Sequence, residues 1–150
     1  GDYNYFSFKG MRSEGNNELH VTSTHYDDQI ALDLVRGSQR TVAIHGCEGN
    51  ESVAYIGGSD DRLIELITES LEDIGISVRE APHHISGTQE NNIVNMTQTQ
   101  GGVQLELTAQ LRKELFKNRK SSRKNRENKD NWDDLMYDFA DAMKKAIERA

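Results

Sequence analysis

Hydrophobic positions along this chain fall in short bursts whose spacing switches between two and three-to-four residues. Val42-Ala43-Ile44 leads into His45 and then Gly46, a run of β-branched and small apolar side chains that reads as a buried strand closed by glycine. Val53-Ala54-Tyr55-Ile56 before Gly57-Gly58 predicts a second strand, Ile76-Ser77-Val78 a third, and Leu19 to Ser23 a short further candidate. In Val103-Gln104-Leu105-Glu106-Leu107 the alternation is strict, so Val103, Leu105 and Leu107 share one face while Gln104 and Glu106 share the other. Helical spacing fills the gaps. Asp27 and Asp28 stand ahead of Ile30, Ala31, Leu32, Leu34 and Val35, the order of a cap followed by a helix ending at Gly37. Ser59, Asp60 and Asp61 precede Leu63, Ile64, Ile67, Leu71 and Ile74, with Gly75 as the stop. A helix is expected from Thr108 to about Asn118. Another runs from Trp132 to about Arg149, with Leu135, Met136, Phe139, Met143 and Ile147 on the same face as Trp132. Strands alternating with helices predict an α/β single domain whose mixed, mostly parallel sheet is flanked by helices.

Two segments break the pattern. Ala81 to Gly102 is polar and holds Pro82, the adjacent His83 and His84, and Asn91, Asn92 and Asn95, and so long a stretch without elements reads as a functional loop. Residues 117–130 are dominated by Lys, Arg and Asn and are expected to form a flexible basic loop. A length of 150 residues with 35% hydrophobic and 29% charged content fits one domain. The formal charge of −7 opposes non-specific nucleic-acid binding by the domain as a whole, so no nucleic-acid partner is expected. No stretch approaches the roughly 20 apolar residues of a spanning helix, so no membrane partner is expected either. One cysteine, Cys47, excludes an intramolecular disulfide framework. The chain opens without an initiator Met, inside the aromatic alternation Tyr3-Asn4-Tyr5-Phe6, and upstream sequence is expected.

The candidate chemistry gathers at strand ends. His45 closes an apolar run, at the sheet edge where ligands collect in open α/β folds, and an imidazole there suits a metal. A strand-end histidine bonded to a backbone carbonyl is an equal alternative. Glu106 suits a general base if its strand is an inner one, or a solvated carboxylate if the strand lies at an edge. Glu48 follows His45 at His-x-x-Glu spacing but fits a solvated acidic turn better, and at most one of His83 and His84 points inward. His20 suits a core or supporting position, and His25 an exposed one. The amides of Asn91, Asn92 and Asn95 suit either an anionic substrate or turns. Arg119, Lys120, Arg123, Lys124 and Arg126 suit a polyanion or a solvated loop, and a Cys47–His45 nucleophilic pair is disfavoured because sequence neighbours rarely converge.

Five segments in register, Leu19 to Asp28, Ala43-Ile44-His45-Gly46-Cys47-Glu48-Gly49, Tyr55-Ile56-Gly57-Gly58, Ser86-Gly87-Thr88 through Asn95, and Gly102 to Leu107, resemble the poly-γ-glutamate hydrolase family of Bacillus phages and their bacterial relatives. The resemblance extends to about Arg112. It implies a zinc carboxypeptidase-like α/β fold and a zinc-dependent hydrolase cutting γ-linked glutamate polymers of a host capsule. By that resemblance His45 is a metal ligand and Glu106 the catalytic base, and Asn92, Asn95 and Gln104 are expected to orient the substrate. A monomer acting extracellularly after release from the host cell is expected. The family's amino-terminal motif, His-Gly-Gly-x-x-Glu-x-Gly-Thr, is not among these residues, which places two of three metal ligands outside them or makes the piece an inactive remnant. Met96 to Gln100 also lacks the arginine expected there as a basic clamp. The rival expectation is a non-catalytic polyanion-binding module using the basic loop.

Overall fold

The computed structural model describes residues 3–150, and within them one four-stranded sheet organises the chain. Its strands are β1 (Val42–Cys47), β2 (Val53–Gly58), β3 (Ser77–Glu80) and β4 (Val103–Thr108), in the spatial order β1-β4-β2-β3. β1 pairs with β4 and β2 with β3 in parallel, whereas β2 runs antiparallel to β4. The last strand in sequence is therefore an inner one, with hydrogen-bonded neighbours on both sides.

The helices are α1 (Gln29–Gly37), α2 (Asp61–Glu72), α3 (Ala109–Glu114) and α4 (Asp134–Arg149). Each starts where a side-chain oxygen accepts an otherwise orphaned backbone N–H: Asp28 from Ala31, Asp60 from Leu63, Thr108 from Leu111 and Asp133 from Leu135. On α2 the residues Leu63, Leu66, Ile67 and Leu71 are wholly buried, one apolar stripe at helical spacing. With Phe139, Ala142, Met143 and Ala146 of α4 they cover Ala54, Ile56, Val103, Leu105 and Leu107 of the sheet in a single core. Burial of this face is the main source of stability, at roughly 1.5–3 kcal/mol for each large side chain removed from water.

Several sequence expectations need correction. Leu19 to Ser23 is not a strand. Leu19 ends a 3-10 turn at Asn16–Leu19 and Ser23 opens another at Ser23–His25, because the segment has no sheet neighbour and its alternation alone supplies no partner for the backbone. The helix expected from Thr108 to about Asn118 ends at Glu114, and Asn118 and Arg119 take positive φ as the chain turns away. Trp132 stays outside α4, where Asp133 provides the cap. β1 continues past His45 through Gly46 to Cys47.

Candidate active site

The site is built on the sheet face turned away from α2 and α4. His45 and Glu106 are register partners on adjacent parallel strands, so their side chains leave the same face from backbones about 4.8 Å apart. Glu106 is also the register partner of Tyr55 on β2. Its strand is buried at all six positions, and Glu106 itself is only 6% exposed. That excludes the edge-strand carboxylate and leaves a buried one that has to be held.

A chain of amides holds it. Gln104, two residues back on the same face, donates from Nε2 to Glu106 Oε1 (3.2 Å) and to the Ile85 carbonyl (3.1 Å). Its Oε1 accepts from Asn92 Nδ2 at 3.1 Å, and Asn92 Oδ1 accepts in turn from the Val94 N–H. Asn95 Nδ2 donates to the carbonyls of Gly87 and Gln89, and its Oδ1 accepts from Ser59 Oγ. The three amides expected to orient the substrate are thus buried and engaged within the protein. Asn92 and Gln104 fix the carboxylate, and Asn95 pins the loop.

That loop, residues 81–102, packs directly over the sheet. The Gly58 N–H donates to the Ser86 carbonyl at 2.7 Å, and a Cβ at Gly57 would lie 2.1 Å from the same oxygen. Only glycine admits so close an approach. His83 and His84 are exposed on this loop, as Glu48 is on its turn.

Burial shifts both members of this pair. Burial raises the Glu106 carboxyl above its ordinary value, while the Gln104 hydrogen bond and the charges of Arg112 and His20 pull it down. His45 moves the other way, lowered by burial and by the nearby His20. A carboxyl shifted up and an imidazole shifted down, side by side, have the chemistry to accept a proton and to offer a neutral ring nitrogen. His20 is exposed rather than in the core, and its charge reaches both groups from there, which fits the supporting position; the sequence pattern did not disclose the involvement of Arg112. The only available signal for Arg112 was its place one turn into the helix that follows Glu106. Burial raises the Cys47 thiol, which works against a nucleophilic thiolate.

A catalytic zinc requires three protein ligands. Among the described residues no group of three or more His, Cys, Asp or Glu is placed to hold a metal ion, so these residues alone do not make that site.

A family model for Poly-gamma-glutamate hydrolase matches residues 1–142. The chain belongs to this family. In structure it is similar to the bacteriophage poly-gamma-glutamate hydrolase, with TM-score 0.88 and 32% identity over 94% of this chain and 67% of that one. It is also similar to a zinc-free apo form of YndL, with TM-score 0.81 and 28% identity over 93% of this chain and 68% of the other. In sequence it is 36% identical over 116 residues to the SPbeta prophage-derived UPF0714 protein YoqZ of Bacillus subtilis (strain 168), covering 76% of this chain and 42% of YoqZ. It is 31% identical over 155 residues to the UPF0714 protein YmaC of the same organism, covering 99% of this chain and 62% of YmaC. The chain therefore spans 42% and 62% of the length of these two curated relatives. The expected zinc carboxypeptidase-like α/β architecture, a mixed sheet flanked by helices, is the one found.

Proposed function

We propose that the intact protein hydrolyses the γ-glutamyl amide bonds of poly-γ-glutamate, with Glu106 as general base and His45 as one ligand of a zinc ion. The observation that carries this reading is the facing pair itself, an imidazole and a buried, amide-braced carboxylate in register on one face of the sheet. Membership in the poly-gamma-glutamate hydrolase family supports the substrate class.

Glu106 takes a proton from the attacking water and passes it to the leaving amine nitrogen, and a carboxyl raised by burial is better matched to that return transfer. Gln104 and Asn92 act by fixing the carboxylate's orientation, so that its free oxygen faces the reacting centre. Bound zinc would polarise the scissile carbonyl and acidify water. The proposed setting is extracellular, on capsule polymer, with the protein acting as a monomer.

The test is digestion of poly-γ-glutamate by the full-length chain, with and without a chelator, followed by the length distribution of the product. Shortening that a chelator abolishes and added zinc restores is the expected result. Polymer bound but never shortened would replace the hydrolase with a polyanion-binding module, and shortening indifferent to chelation would remove the metal.

A further inference from the structure

Half of the basic residues of this acidic chain lie in one short stretch. Between Arg112 and Lys129 there are nine Lys and Arg against only Glu114 and Glu127, a formal +7 within a protein of −7, so the remainder carries −14. Both acids are turned to other partners: Glu114 accepts from Ser52 and Gln110, and Glu127 pairs with Lys9.

The stretch is also shaped. Arg123 donates to the carbonyls of Met11 and Arg12, Asn131 Nδ2 to the Asn125 carbonyl, and Trp132 Nε1 to the Arg126 carbonyl at 2.8 Å. Held in this way, it closes one side of a groove of about 340 Å3 against α3 and α4. Arg112, Lys113, Arg126 and Ser121 line the groove together with Phe116 and Met136, and no acid lines it. None of its three cationic side chains is in an ion pair with an acid among the described residues.

One residue joins this groove to the active site. The Arg112 guanidinium lies against Gly46, where a Cβ would meet its Cζ at 2.8 Å, and donates to the Cys47 carbonyl at 3.1 Å. Gly46 and Cys47 directly follow His45 in β1, and the charge of Arg112 is felt at Glu106. Arg112 therefore links the groove to the strand ends that carry the reacting pair.

We propose that this groove is a distal subsite for the α-carboxylates of poly-γ-glutamate, engaging polymer residues beyond the scissile bond and giving the enzyme a preference for long chains. It rests on the hydrolase reading for its substrate. A γ-linked glutamate polymer bears one free carboxylate per residue, and half of the Lys and Arg of this acidic chain are gathered along this one track. The apolar lining residues suit the methylenes between carboxylates, and exposed cations of this kind bind through screened attraction.

The test is the exposed double variant Lys113→Gln with Arg126→Gln, which leaves Arg112, His45 and Glu106 intact. Two readouts are taken on the full-length protein: kcat/KM for long polymer and for a γ-linked glutamate trimer, and equilibrium binding of long polymer at low and raised salt. The expected result is about a tenfold loss of kcat/KM on long polymer at low salt, an unchanged rate on trimer, and a flatter salt dependence of binding. An equal loss on both substrates, or no loss on either, would overturn the subsite. So would tight binding of an oligonucleotide that poly-γ-glutamate cannot displace. If the unmodified protein cleaves neither substrate, the hydrolase reading fails separately, and the subsite still stands or falls on the variant's loss of polymer binding.

Discussion

The two faces of β4 are equally buried but built from opposite materials. Val103, Leu105 and Leu107 enter a hydrophobic core under α2 and α4, where removal from water is itself the stabilising contribution. Gln104, Glu106 and Thr108 are buried on the other side, where every polar atom has to regain what it lost in water. Thr108 does so by capping α3 and bonding the Glu51 carbonyl, and Gln104 through three partners. Glu106 is only partly compensated, since its carboxyl stays raised despite the amide beside it. A strand stable on one face can carry an unfavourable charge on the other, and it is the second face that meets His45.

Substitutions on the two faces should separate stability from chemistry. The largest effect is expected from Glu106→Gln, a fall of about 10²- to 10⁴-fold in polymer hydrolysis with no loss of folding stability at neutral pH. The same variant tests the direction of the carboxyl's shift. A carboxyl raised above its ordinary 4.5 by folding contributes stability that is fully present below that value and lost as pH rises through the folded one. Denaturant titrations across that window should therefore show stability falling with pH, and a smaller fall in Glu106→Gln. An unchanged slope would remove Glu106 as its source.

Leu105→Ala, on the opposite face, should cost about 2–5 kcal/mol in urea unfolding, because it opens a cavity in a fully buried site. Gln104→Met should cost about 1–3 kcal/mol by leaving Asn92 Nδ2 and the Ile85 carbonyl without their partner. It should also move the acid limb of the pH–rate profile upward, since the Gln104 hydrogen bond holds the carboxyl down. A purely structural glutamine would leave that limb where it is. The smallest effect is expected at Ile44, the register partner of Leu105 on β1 but 56% exposed. There Ile44→Thr should change the unfolding midpoint by no more than about 0.5 kcal/mol permits.

Strand and helix types followed from spacing because each is a local property. The period-two run at 103–107 and the capped stripe from Asp60 to Leu71 state their buried faces through backbone geometry alone, and both are realised. Leu19 to Ser23 misled for the converse reason, since a strand exists only where a neighbour accepts its hydrogen bonds.

The candidate site divides along the same line. Sequence supplied His45 and Glu106 as side chains of the right chemistry near strand ends, and their family resemblance gave them roles to test. It could not place β4 between β1 and β2, which is what buries Glu106 and sets it opposite an imidazole 61 residues earlier in the chain. Nor could it show that Asn92 and Gln104 spend their amides on that carboxylate, or that Arg112 reaches back to Cys47. Periodicity records which way a side chain leaves its own backbone. Which distant side chain it meets, and how much water remains between them, depends on strand order and loop packing, and these are set only when the whole chain closes on its core.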